Sequence, residues 1–140
     1  MIISVDFDGT CVTNEFPKIG KDIGAIPVLK DLVKSGHKLI LFTMRSDIVN
    51  PISEDKEIHL ESGDYLTDAV NWFKENEIPL YGTQTNPTQH NWTKSPKAYA
   101  QVYIDDAALG CPLIYNPLIS KRPFVNWDEI RKYFEALDVL

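Results

Sequence analysis

The chain has 140 residues, of which 44% are hydrophobic, 11% aromatic and 24% charged, a length that suits one domain at about one per 150 residues. That composition excludes disorder, coiled coil and collagen, and the longest uncharged apolar runs, Ile2 to Val5 and Leu39 to Thr43, fall far short of the roughly 18–20 residues of a membrane span. The net charge of −6 arises from 14 basic and 20 acidic residues, with the basic ones scattered, so a nucleic-acid partner is not expected.

The amino terminus carries no basic n-region, and Asp6 interrupts any h-region, so a signal peptide is not read and a cytoplasmic protein is expected. Ile2 to Val5 is a continuous apolar, β-branched run that predicts a buried strand ending in an Asp-Phe-Asp-Gly turn. Ile23, Ile26, Leu29, Leu32 and Val33 stand at helical spacing, with Pro27 tolerated early and Ser35-Gly36 as a stop. Lys38 to Thr43 predicts a second buried strand, Tyr65 to Asn76 a second helix, and Ile78 to Tyr81 and Val102 to Ile104 two short strands. Pro96 marks an expected helix start just before Lys97. Asn126 and Glu129 have the spacing of a capping box ahead of a final amphipathic helix carrying Ile130, Tyr133, Phe134 and Leu137.

Alternating strands and helices with buried strands predict an α/β fold: a three-layer, Rossmann-like arrangement with a mostly parallel central sheet and helices on both faces. Ligands in such folds sit beyond the carboxyl ends of the strands. Trp72, Phe73, Trp127, Tyr133 and Phe134 read as packing residues, and His37 and His59 as solvent-facing. His90 and Trp92, in a long loop, read as structural or as flanking a substrate. Cys11 and Cys111 lack metal-ligand spacing and are expected to be reduced.

The strand ends gather Asp6 and Asp8, Thr43, and Asp105 with Asp106 at one edge. Carboxylates about 4 Å apart repel by on the order of 4 kcal/mol per pair at an effective dielectric near 20, so four acids in one pocket require a cation. Oxygen donors favour Mg²⁺ over Zn²⁺. A carboxylate-held cation beside a hydroxyl and a lysine suits the oxygens of a phosphoryl group.

Asp6-Phe-Asp8-Gly9-Thr10 on the first strand, Thr43 ending Leu-Ile-Leu-Phe-Thr, Lys97, and Asp105-Asp106 after Val-Tyr-Ile together resemble the motifs of the haloacid dehalogenase superfamily of phosphotransferases. The resemblance spans nearly the whole chain. It implies a Mg²⁺-dependent phosphatase in which Asp6 is the nucleophile and Asp8 the general acid and base. It implies phosphate contacts from Gly9, Thr10, Thr43, Met44, Arg45 and Lys97, with Lys94 the alternative to Lys97. Asp6, Asp8 through its carbonyl, and Asp105 or Asp106 would hold the metal. Arg45 reads first as a surface arginine and only second as a phosphate contact. The gaps between motifs are too short for a cap domain, so residues 1–140 are expected to form one capless catalytic domain, with Cys11 to Lys21 and Gly82 to Thr93 as walls. The expected substrate is a small phosphorylated metabolite. A non-catalytic or signalling phosphate-binding domain and a phosphatase for phosphoprotein or nucleic-acid ends are the alternatives.

Overall fold

The computed structural model describes residues 1–50 and 60–140, so His59 lies outside the described residues. Strand β1 (Ile2–Val5) leads through a turn into helix α1 (Ala25–Lys34), then strand β2 (Lys38–Leu41). A small antiparallel pair, β3 (Asp47–Ile48) with β4 (Gly63–Asp64), precedes helix α2 (Tyr65–Glu75). Strands β5 (Gly82–Thr83) and β6 (Val102–Ile104), the antiparallel pair β7 (Leu113–Ile114) and β8 (Phe124–Val125), and helix α3 (Trp127–Ala136) complete the order.

The central sheet has four strands in the order β5-β2-β1-β6, each neighbour parallel. β1 sits in the middle because Ile3 and Val5 are fully buried and Ser4 nearly so, the pattern of a strand covered on both faces. Its register pairs Val5 with Leu41 on one side and with Ile104 on the other. The residues that follow these strands therefore emerge side by side at one edge of the sheet.

Helix α1 buries Ala25, Val28, Leu29 and Leu32, an i, i+3, i+4, i+7 stripe. It stops as predicted: Gly36 takes a left-handed φ of 90°, and the His37 N–H returns to the Leu32 carbonyl at 3.0 Å, the bond that closes a helix end on glycine. Helix α2 sends Trp72 and Phe73 against Phe7, with ring centroids 5.5 and 6.3 Å away. Helix α3 is capped by Asn126, whose side chain accepts from the Glu129 N–H at 3.2 Å. Only that half of the box forms. Glu129 instead pairs with Lys132 at 2.8 Å, and the Asn126 N–H donates to the Pro112 carbonyl.

Four expectations need correction. The strand expected at Ile78 to Tyr81 forms at Gly82–Thr83, because Pro79 has no N–H for a ladder and pairing begins where Tyr81 donates to the Leu39 carbonyl at 2.7 Å. The helix expected at Pro96 does not form; Gln89, on a 3₁₀ turn at Gln89–Asn91, donates to the Ser95 and Lys97 carbonyls and accepts from the Tyr99 N–H, holding that segment as a loop. His37 is not simply solvent-facing: it is half-buried, with one ring nitrogen 2.9 Å from the Met1 nitrogen and the other 3.0 Å from the Val139 carbonyl oxygen. Tyr133 is 58% exposed rather than packed inside. No helix among the described residues is long and apolar enough to cross a membrane.

Candidate functional site

Asp6 follows β1 and Asp105 follows β6, and the Val5–Ile104 register places them as neighbours. The Asp6 N–H donates to the Ile104 carbonyl at 2.9 Å, so the sheet itself fixes the first acid. One carboxylate oxygen each from Asp6, Asp105 and Asp106 lies within 4.8 Å of the others.

Thr10 knits this cluster together. Its hydroxyl lies 2.9 Å from Asp6 Oδ2 and 3.3 Å from Asp106 Oδ1, and its oxygen accepts from the Asp106 N–H at 3.0 Å. A hydroxyl has one proton, so the bond to Asp6 is the better placed. Thr10 is fully buried. Gly9 brings it there by taking a φ of 79°, a region open chiefly to glycine. A Cβ on Gly9 would lie 2.5 Å from Asp106 Oδ2, so the turn and the cluster require the same residue. The Val125 N–H donates to the Gly9 carbonyl and the Trp127 indole N–H to the Thr10 carbonyl, so β8 and α3 brace this turn from behind. Asp105 shapes its own turn, accepting from the Ala107 N–H at 2.8 Å.

Burial pushes the Asp6 carboxyl up to about 8, opposed by hydrogen bonding from the Phe7 N–H and the Thr10 hydroxyl and reinforced by the charge of Asp105 and the bond shared with Asp106. Cys11 donates its thiol to the Asp6 carbonyl at 3.2 Å. Burial, with Asp6 and Asp8 nearby, holds that thiol well above its ordinary range, so it stays protonated and is no nucleophile. Cys11 and Cys111 are both free, as expected.

The pocket of four acids is corrected to three. The Asp8 carboxylate is not in the cluster; it is held by Arg45, whose Nε lies 2.7 Å from Oδ2 and Nη2 2.8 Å from Oδ1. Arg45 is accordingly no surface residue, being 2% exposed. A charge-assisted fork of this kind is among the strong hydrogen bonds a carboxylate makes, and it holds Asp8 to Arg45 rather than towards three like charges.

Thr43 is half-buried at the end of the strand run, its hydroxyl accepting from the Arg45 N–H at 3.1 Å. Gln84 clamps that turn: its side chain accepts from the Thr43 N–H and donates to the Thr43 and Arg45 carbonyls. Gln84 does so from a left-handed φ of 66°, a conformation unusual without glycine. Between them Met44 is 97% exposed. Lys97 is exposed, its Nζ 5.2 Å from the centroid of Tyr103, two residues before Asp105. Lys94 is exposed in the same loop. Among the described residues neither lysine lies within ion-pair distance of a cluster acid. Trp92 is 63% exposed and meets Tyr99 edge-on, and His90 is exposed.

The donor set consists of carboxylate oxygens from three aspartates, and such donors suit a hard cation such as Mg²⁺. Burial raises the Asp6 carboxyl first, and the neighbouring Asp105 charge adds to it. Sequence reasoning missed Gln84, Gln89, Trp127 and the Arg45 network. Gln84, Trp127 and Arg45 act through bonds to residues distant in the chain, which leaves no local pattern to read, and Gln89 acts through a loop of irregular backbone that no periodicity marks.

No family model matches the chain, and no curated protein matches it. The solved structure of a conserved protein from Bacteroides thetaiotaomicron is similar to it, with a TM-score of 0.70 and 28% sequence identity over 97% of this chain and 90% of that one. This chain is an α/β protein built on a four-stranded parallel sheet.

Proposed function

We propose that the chain is a Mg²⁺-dependent phosphohydrolase acting on a phosphomonoester, a small phosphorylated metabolite in the first instance, through an aspartyl-phosphate on Asp6. The observation that carries this reading is the meeting of Asp6, Asp105 and Asp106 within 4.8 Å beyond the ends of adjacent parallel strands, where α/β folds bind ligands. The same reading takes the sheet and its helices as a three-layer, Rossmann-like arrangement that resembles the haloacid dehalogenase superfamily, without a sizeable cap.

Asp6 attacks phosphorus through a carboxylate oxygen, and the bond from phosphorus to the leaving oxygen breaks with its electron pair on that oxygen. Asp8 supplies the proton the leaving oxygen needs. A water oxygen then attacks the phosphorus of the aspartyl-phosphate, the bond to Asp6 breaks, and Asp8 takes the proton from the water. Thr10 keeps the Asp6 carboxylate aimed, Thr43 offers a hydroxyl to phosphoryl oxygens, and Lys97 is the lysine that offsets their charge. Asp6, Asp105 and Asp106, with the Asp8 carbonyl, would hold Mg²⁺. The cation supplies positive charge against the phosphoryl oxygens and the crowded acids.

Phosphate release from a panel of phosphorylated metabolites tests the reading. Wild type should turn over at least one of them with Mg²⁺ and none in EDTA, and Asp6→Asn should be inactive because an amide is not nucleophilic. Equal release by wild type and Asp6→Asn would overturn it.

A further inference from the structure

We propose that Arg45 is the positioning residue for Asp8, fixing it for the water-attack step; this rests on the phosphohydrolase reading above. The Arg45 side chain is 1% exposed. All five of its N–H groups are engaged: two on Asp8, two from Nη1 on the Pro17 and Tyr65 carbonyls at 3.3 and 3.1 Å, and one from Nη2 on the Lys18 carbonyl at 2.8 Å. The Phe7 and Phe16 rings each lie 5.1 Å from its guanidinium carbon. A guanidinium with no free N–H and almost no exposed surface has nothing to offer a substrate phosphate, so its work is internal.

That work centres on Asp8. The fork donates to both carboxylate oxygens and so fixes the side-chain torsion, leaving Asp8 14% exposed, outside the triad of acids and beside the Pro17–Lys18 wall. A fork on both oxygens orients the carboxyl group as a unit, which is what a group that exchanges a proton with attacking water needs. The same guanidinium joins four stretches of chain: the β1 turn at Asp8, the wall at Pro17 and Lys18, the turn after β2 at Arg45 itself, and the start of α2 at Tyr65. Asp8 is thus in place only when the wall and α2 are.

The test uses the full chain with Mg²⁺ and nitrophenyl phosphate, whose leaving group needs no proton, so that only the water-attack step calls on Asp8. Wild type, Arg45→Gln, Arg45→Lys, Asp8→Asn and the Arg45→Gln/Asp8→Asn double variant are compared for kcat, KM and the level of phosphorylated Asp6. Arg45→Gln should lower kcat by about 10–100-fold, part of the roughly 10²–10⁴ that acid–base catalysis supplies. KM should fall together with kcat, leaving kcat/KM nearly unchanged because only the water-attack step is slowed; phosphorylated Asp6 should accumulate as in Asp8→Asn, and the double variant should be no slower than Asp8→Asn alone. Arg45→Lys, which keeps a positively charged donor for Asp8, should recover part of the loss. A raised KM with kcat preserved, or losses that multiply in the double variant, would overturn the assignment while leaving the phosphohydrolase reading intact. A wild-type chain that releases no phosphate from any substrate would overturn both.

Discussion

The indole N–H of Trp127, the first residue of α3, donates to the Thr10 carbonyl at 2.7 Å across 117 residues of sequence, in a bond buried from solvent. Thr10 in turn holds Asp6 and Asp106 by its hydroxyl. The last helix is therefore part of the support of the first acid.

Trp127→Phe keeps most of the buried ring and removes the N–H. A buried carbonyl left without its donor costs about 1–3 kcal/mol, so the variant should melt lower and lose activity, with the loss falling on kcat because Thr10 is misplaced rather than any substrate contact removed. Thermal melts and steady-state kinetics measure both. Unchanged melting and unchanged kcat would remove Trp127 from the account.

Gly9→Ala should be severe for two reasons that act together. The left-handed φ of 79° costs a residue with a side chain on the order of 1–3 kcal/mol, and its Cβ would press on Asp106 Oδ2 at 2.5 Å. The expected result is lower stability together with weaker Mg²⁺ binding, read by denaturant titration and by calorimetry. A variant that destabilises without weakening Mg²⁺ would separate the turn from the cluster.

The raised Asp6 carboxyl predicts how stability depends on pH when no metal is bound. Its folded value of about 8 stands above the ordinary 3.8, so between those two pH values the folded protein holds a proton that the unfolded chain has released. Stability is then greatest at the acid end and falls as pH rises towards 8. The full effect is a few kcal/mol, on the order of 5–15 °C in Tm for a domain of this size. Melts in EDTA from pH 5 to 8.5 should show this fall, and Asp6→Asn should flatten it. Mg²⁺ in excess should raise the melting temperature most at the alkaline end, because a cation that binds only the folded cluster stabilises it.

Much of this was legible in the sequence. β1, β2 and β6 announced themselves as apolar runs, α1 and α3 by their spacing and stops, and Asp6, Asp105 and Asp106 by standing directly after two of those strands. Most of what was not legible depends on contacts between distant residues. Arg45 looked like a surface side chain because nothing near it in sequence shows that Asp8, Pro17, Lys18 and Tyr65 would surround it. Helix α2 lacks a local cap residue that bonds its own first turn; Asp47, on β3, supplies that bond by accepting from the Thr67 N–H at 2.9 Å, and this partner is 20 residues away. The loop around Lys97 was misread as a helix because one buried carboxamide, that of Gln89, satisfies backbone groups which a helix would otherwise have paired.

The covalent role of Asp6 is the centre of the account, and peptide mass spectrometry after rapid acid quench reads it most directly. Asp8→Asn, incubated with Mg²⁺ and nitrophenyl phosphate and then quenched and digested, should carry one phosphoryl group on the peptide that contains Asp6, and the Asp6→Asn/Asp8→Asn double variant should carry none. Wild-type turnover of the same substrate with no phosphorylated Asp6 peptide in any variant or at any quench time would contradict it.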